Sequence, residues 1–436
     1  MTQNTLKLHL SNLGPIKNAE IELGNITLFV GKPNTGKSLA MKALFYSLHC
    51  PDNIIELREG SLELRDNSFL QHFTIDWEKT RENYKSFVRD SLPEGEFKLE
   101  PMNFSDFIFS QKLGYEERYV PIHLPPMYFP EKCSDKDIKR LRFSLSNAIY
   151  EISVNGDEGK VKVEVDISGV KETCLKDKET LSSLSSTLVE VVQRQVNNQY
   201  CKWFKERLKE KGIYAVNYLN YTRIFFTLHN LLFQGEVGSL NGSNKFDLRI
   251  YELVKPLLKG QLKYIGEKLV YVEGDKVIPW EDVATSVLEI VSFLLSIKDD
   301  GLILYEEPET YLHEELQLLM AFVLYALSSF NRIVISTHSQ TLFYAIAHLS
   351  MLRPTKEELK ELFEDLKVKD YETLAKAIEW ANQKEVKVKI YHFTEGGVKE
   401  VSVDDAVKGM PGTIDVLEKE FKWFSSLHSK RLFGEG

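Results

Sequence analysis

Hydrophobic and polar positions alternate near the start of the chain. Leu6, Leu8 and Leu10 stand between polar residues, and a second alternation runs through Ala19, Ile21 and Leu23. A period of two sets one face of a strand against a core and leaves the other polar. Two short strands are predicted, joined by a turn at Gly14-Pro15. Ile26 to Val30 is apolar throughout except for Thr27, the pattern of a strand buried on both faces. Residues 37–48 change period. Leu39, Ala40, Ala43, Leu44 and Leu48 fall on one side of a helix.

From about 51 to 212 the pattern is less regular. Residues 152–167 predict a hairpin around Asn155-Gly156, and 179–211 predict a helix. Regular alternation returns near Ala215. It predicts a helix at 283–297, a strand at 302–305, a helix near 312–329, a strand at 332–336 and a helix near 339–349. Strands alternating with helices imply a parallel sheet with crossover helices. After Pro354 a charged helical stretch covers 355–382, and a terminal hairpin is predicted around Gly396-Gly397. The expected organisation is an α/β unit from 1–50 and 213–350, an inserted α+β or helical lobe at 51–212, and an extension at 351–436 that completes the first unit.

A chain of 436 residues fits two or three structural units. Its formal net charge of −9 argues against a broad nucleic-acid-binding surface, while leaving room for a local basic face. No run of about 18 uncharged apolar residues occurs, so no membrane span is expected. The opening MTQNTLKLHL lacks the basic-then-apolar layout of a secretory signal. Cys50, Cys133, Cys174 and Cys201 lie far apart and form no CxxC pair. Neither a zinc site nor a disulfide framework is expected from them, and a reducing cytoplasm fits better.

The strongest chemical signal is Gly31-Lys32-Pro33-Asn34-Thr35-Gly36-Lys37-Ser38, a GxxxxGK[ST] run between a buried strand and a helix. Backbone N–H groups of such a loop converge on phosphate oxygens. Gly31 and Gly36 supply backbone shapes that a Cβ disfavours, and Asn34 and Thr35 complete the turn. The positive end of the following helix adds to the field on the anion. Lys37 then serves the β- and γ-phosphates, and the Ser38 hydroxyl serves Mg²⁺.

A second signal is Leu302-Ile303-Leu304-Tyr305-Glu306-Glu307-Pro308-Glu309, an apolar strand that ends in carboxylates. In phosphate-loop enzymes the first acid serves the metal and a following one polarises water. Glu306 is assigned to Mg²⁺ and Glu307 to the base. A third signal is Ser336-Thr337-His338-Ser339, directly after the next apolar strand. A His at that end points into the crevice where such sheets take ligands, and His338 is assigned to the γ-phosphate or the attacking water.

The runs GKPNTGKS, LILYEEPETYLH and ISTHSQ, in this order, resemble the heads of ABC/SMC-type ATPases. The likeness extends to stand-alone AAA-labelled ATPases that share a head with OLD-family and RecF-like proteins. The segment YLNYTR, ending at Arg223, is similar to a strand of that group that usually reads as an apolar run, Pro, then Arg. The resemblance covers about 1–50, 213–350 and more faintly 386–425. It implies an ATPase with ATP and Mg²⁺, and a homodimer in which two heads sandwich two ATP molecules. It also implies a signature helix that meets the partner's nucleotide, beginning here near Ala284-Thr285-Ser286, without the family's glycine. Thr285 and Ser286 are its candidate donors, with simple helix capping as their other reading. A Gln that couples Mg²⁺ to the lobe is implied as well, with Gln71 and Gln111 as candidates.

Two functions are carried forward. One is work on DNA, in repair or in defence against foreign DNA. The other is a nucleotide-dependent switch that holds a separate effector protein such as a nuclease or toxin. A transporter subunit fits the motifs and the insertion less well. A small-molecule kinase is disfavoured because Glu307 and His338 favour water as the acceptor. No acidic constellation for a nuclease is present in the C-terminal 86 residues.

Overall fold

The computed structural model describes residues 5–65, 68–100, 149–155, 158–168, 178–220, 222–232, 247–266, 268–297 and 301–411, and single positions at 104, 136, 139, 170 and 423. The chain opens with strands β1 (Leu6–Leu13), β2 (Ile16–Leu23) and β3 (Ile26–Gly31), then helix α1 (Lys37–Leu48). Next come β4 (Leu57–Leu64), β5 (Ser68–Ile75), α2 (Trp77–Arg89), β6 (Glu96–Glu100), β7 (Ile149–Asn155), β8 (Glu158–Asp166) and the long α3 (Lys178–Glu210). They are followed by β9 (Val216–Leu219), α4 (Arg223–Leu232), α5 (Leu248–Val254), β10 (Gln261–Ile265), β11 (Lys268–Glu273), β12 (Lys276–Ile278) and α6 (Thr285–Ser296). The last run is β13 (Leu302–Glu306), α7 (Glu314–Leu327), β14 (Arg332–Ser336), α8 (Gln340–Leu352), α9 (Lys356–Asp365), α10 (Glu372–Gln383), β15 (Val388–Thr394), β16 (Gly397–Val401) and α11 (Val403–Ala406).

These elements form two compact units. One comprises Met1–Ser47, Leu92–Pro101 and Lys209–Gly436, and the other Leu48–Ser91 and Met102–Leu208. The first unit is built on a six-stranded sheet in the order β16-β15-β3-β14-β13-β9. Strands β15, β3, β14, β13 and β9 run parallel, and β16 closes one edge antiparallel to β15. The apolar runs explain the placement. β3 and β13 are buried at every position, as central strands covered on both faces must be. Helices α6, α7 and α8 bury Phe293, Phe322 and Phe343 in the core.

Beside this sheet the first unit carries two smaller antiparallel ones, β2-β1-β6 and β10-β11-β12. The first begins with the predicted pair. The turn at Gly14-Pro15 lets Leu13 face Ile16, and Gly14 adopts a left-handed φ of 56°.

The second unit holds the four-stranded antiparallel sheet β4-β5-β8-β7 with α2 and α3. The predicted hairpin is its β7–β8 pair, with Asn155 opposite Glu158. Helix α3 buries Val192, Val196, Tyr200 and Phe204, and Tyr200 meets Trp77 edge-on at 6.2 Å. Asn197 is buried, receives the Ile54 N–H at 3.2 Å and donates to the Pro51 carbonyl at 3.1 Å.

One expectation is overturned in this unit. Cys50 and Cys201 form a disulfide across 151 residues, with Cα atoms 5.5 Å apart. Sequence spacing was a poor guide because the segment after α1 folds back along α3, the same approach that Asn197 pins. Cys133 and Cys174 lie outside the described residues. No described helix is long and apolar enough to cross a membrane.

Candidate functional site

Three parallel strands of the first unit end in one row. Register sets Glu306 of β13 opposite Ser336 of β14, and Ser336 opposite Phe29 of β3, two residues before Gly31. Ligands of open parallel sheets bind beyond these carboxyl ends.

Gly31 to Ser38 makes the turn from β3 into α1. Gly31 has φ 134°, and a Cβ there would run into the Phe393 carbonyl of neighbouring β15. Gly36 has φ 101°, and a Cβ would come within 2.7 Å of Ile16 Cγ1. Asn34 is left-handed too, at φ 62°, a shape Asn tolerates better than most residues. The Thr35 hydroxyl closes the loop by donating to the Lys32 carbonyl at 2.8 Å.

Lys37 is buried, and its Nζ donates to the Gly31 and Lys32 carbonyls at 2.9 and 2.8 Å. Its charge is thus held over the loop by the loop's own backbone. Burial lowers the ammonium to about 8, against the pull of Glu307 and Glu309.

Glu306 is buried at the end of β13. Burial raises its carboxyl above the ordinary range, opposed by hydrogen bonds from Tyr218 and Ser38 and by the charge of Lys42. Its Oε1 has no hydrogen-bond partner among the described residues, and neither does the buried Ser336 Oγ across the register. A buried carboxylate oxygen without a partner, on a side chain that the exposed Ser38 hydroxyl reaches, is a ligand set that suits a hard cation such as Mg²⁺. Ser38 and Glu306 are the residues that would hold it. Among the described residues no larger His, Cys, Asp or Glu cluster gathers for a metal.

Glu307 follows with a left-handed φ of 45°, uncommon for a residue with a Cβ. Its N–H donates to the Ser336 carbonyl at 2.9 Å. Its carbonyl accepts from Arg223 Nη2 at 3.1 Å and from the Thr310 hydroxyl at 2.9 Å. Its carboxylate Oε1 faces His338 Nε2 at 3.8 Å, too far for a direct hydrogen bond and near enough for one bridging water. Burial and then Lys37 lower the His338 imidazole, Glu307 opposes them, and the net lowering favours the neutral ring at pH 7.

Glu309 carries a contact that sequence reasoning left unassigned. Its Oε1 accepts the backbone N–H of His338 at 2.6 Å and of Ser339 at 3.2 Å. Ser339 caps α8, so the carboxylate sits at the positive end of that helix. Burial raises the Glu309 carboxyl, opposed first by the His338 N–H, and Oε2 is buried with no partner among the described residues.

Arg223, Glu289 and Tyr305 form a buried network behind the acids. The guanidinium donates to Glu289 Oε1, to the Glu306 carbonyl at 3.0 Å and to the Glu307 carbonyl at 3.1 Å. The lone Arg of YLNYTR was the only sequence signal for it.

The fold therefore gathers Gly31, Asn34, Thr35, Gly36, Lys37, Ser38, Glu306, Glu307 and His338. Thr285 and Ser286 stand apart. They open α6, Thr285 is exposed, and no hydrogen bond or ion pair joins them to this group among the described residues. Neither hydroxyl caps the helix, whose N-cap is Ala284 with no side-chain bond. Gln71 lies in β5 of the second unit, buried between Leu62 and Val163 in the register. Gln111 lies outside the described residues.

No family model matches the sequence, and no curated protein is similar to it. Among solved structures, the SMC head domain from Thermotoga maritima aligns over 91% of this chain and 98% of its own, at 9% identity and a TM-score of 0.35. A structure described as the SmcHead bound to the C-winged helix domain of ScpA aligns over 92% and 98%, at 11% identity and a TM-score of 0.35. Likeness at that level carries no argument, and the functional reading rests on the geometry above.

Proposed function

We propose that this chain is an ATP-binding and hydrolysing ATPase of the ABC/SMC type. The observation that carries the reading is the single row of strand ends that holds a phosphate-loop backbone, Lys37, the buried Glu306 carboxylate with its unpartnered Oε1, and the Glu307–His338 pair. In this reading Gly31, Asn34, Thr35 and Gly36 shape the backbone that receives the triphosphate. Lys37 exchanges the Gly31 and Lys32 carbonyls for β- and γ-phosphate oxygens. Ser38 and Glu306 would hold Mg²⁺, which when bound would supply Lewis-acid charge stabilisation to the phosphoryl group. Glu307 takes a proton from a water whose oxygen attacks the γ-phosphorus, and ADP leaves. Neutral His338 donates to the γ-phosphate or to that water.

The exposed start of α6 supports the pairing of two heads on ATP, since Thr285 and Ser286 are free of local capping and available to a partner's nucleotide. Light scattering of Glu307→Gln protein with saturating ATP tests this. Dimers are expected, and persistent monomers contradict the sandwich.

The work coupled to hydrolysis is proposed to be on DNA, in repair or defence, from the resemblance of the motifs. The net charge of −9 favours a second reading, a switch that holds an effector protein. ATPase rates with and without linear duplex DNA at low salt separate the two. Stimulation that fades as salt rises supports DNA contact through phosphates, and a flat response supports the switch.

A further inference from the structure

Arg223 opens α4, directly after β9, and Glu289 lies one turn into α6. Their side chains are 4% and 0% exposed. Nε and Nη2 of Arg223 approach Glu289 Oε1 at 2.7 and 2.6 Å, and the Tyr305 hydroxyl donates to the same oxygen at 2.5 Å. The guanidinium also lies over the Tyr305 ring, 4.8 Å from its centre. Its remaining N–H groups go to main-chain carbonyls, those of Asn220 at 2.6 Å, Glu306 at 3.0 Å and Glu307 at 3.1 Å.

Stability alone does not explain this choice of residues. A buried ion pair is often matched or surpassed by apolar side chains of similar volume. Five donors in a rigid plane, in contrast, can hold several acceptors in fixed directions, which a lysine cannot. Two of the acceptors are the carbonyls of the successive acids at the site. One of those acids, Glu307, sits in a left-handed conformation that its surroundings must enforce.

We propose that Arg223, anchored by Glu289 and Tyr305, is a positioning residue for the hydrolytic step. By fixing the Glu306 and Glu307 carbonyls it sets the directions in which the two carboxylates leave the strand end. The same guanidinium ties that strand end to α6, the helix that begins with Thr285 and Ser286. This inference rests on the ATPase reading of the site and adds to it a dedicated support for the base.

The test compares Arg223→Lys with the charge-free double variant Arg223→Met/Glu289→Leu. The double variant removes both buried charges together, so the core is not left with one of them unpaired. Nucleotide affinity is measured with a fluorescent ATP analogue, turnover by phosphate release, and folding by thermal melting. ATP affinity within about threefold of wild type and kcat reduced about 100-fold are expected in both, the scale of a reacting group displaced by about 1 Å. A folded variant with kcat within about twofold of wild type overturns the proposal. So does a loss shared equally by affinity and turnover, which a general loosening of the site produces. A wild-type protein that binds ATP without hydrolysing it overturns both this proposal and the ATPase reading beneath it.

Discussion

The Glu309 carboxylate accepts the backbone N–H of His338 at 2.6 Å, and so joins the segment after β13 to the segment after β14. That bond fixes the His338 backbone beyond the paired strands, since the register of β13 and β14 ends at Ser336. Glu309→Gln retains an accepting oxygen and is expected to keep turnover within a few-fold of wild type. Glu309→Ala removes it and is expected to lower kcat about 10- to 100-fold, the range of a lost charge-assisted hydrogen bond. Steady-state kinetics of the two variants check this. Equal rates for both contradict the anchoring role.

Lys37 links nucleotide affinity to pH. Its folded value is depressed to about 8, so the free protein loses this charge as pH rises through 8. Roughly nine-tenths of the ammonium is present at pH 7 and one-tenth at pH 9. Bound phosphates favour the ammonium, so ATP binding takes up a proton above pH 8. The Kd for ATP is expected to rise about tenfold from pH 7 to pH 9. Calorimetry in buffers of different ionisation heat measures the proton directly, and a pH-independent Kd with no uptake contradicts the account.

The disulfide predicts a redox-dependent melting point. A disulfide is typically worth roughly 2–4 kcal/mol, which corresponds to several degrees. Dithiothreitol is expected to lower the midpoint of unfolding. Cys50→Ser is expected to show the lower midpoint without reductant and to be insensitive to it. A non-reducing peptide map that lacks the Cys50–Cys201 linkage contradicts this expectation.

The elements that frame the site were legible because their patterns are local. ITLFVG, LILYE and RIVIS are short apolar runs next to a glycine-rich turn or a polar cluster, and each is a strand of the parallel sheet. The antiparallel β10-β11-β12 sheet went unread, although Leu262 and Tyr264 alternate with polar residues and Gly266 and Gly274 supply left-handed turns. Its strands are only 5, 6 and 3 residues long, which makes so short an alternation easy to miss. β6 went unread for a different reason. EFKLE is mostly charged, and it is a strand because β1, about 90 residues earlier in the chain, offers it an edge on which Leu99 faces Leu8. The site follows the same division. The motif residues were legible, while the Arg223–Glu289 contact spans 66 residues and the Glu309–His338 bond 29, and no local pattern announces either.

The central claim is that Glu307 activates water against ATP held by the Lys37 loop. Single-turnover hydrolysis of ATP by wild type and Glu307→Gln, with nucleotide affinity measured in parallel, tests it most directly. The account predicts hydrolysis by wild type, unchanged affinity in the variant, and a rate reduced about 10²- to 10⁴-fold by loss of the base. A Glu307→Gln protein that hydrolyses ATP at the wild-type rate would contradict it.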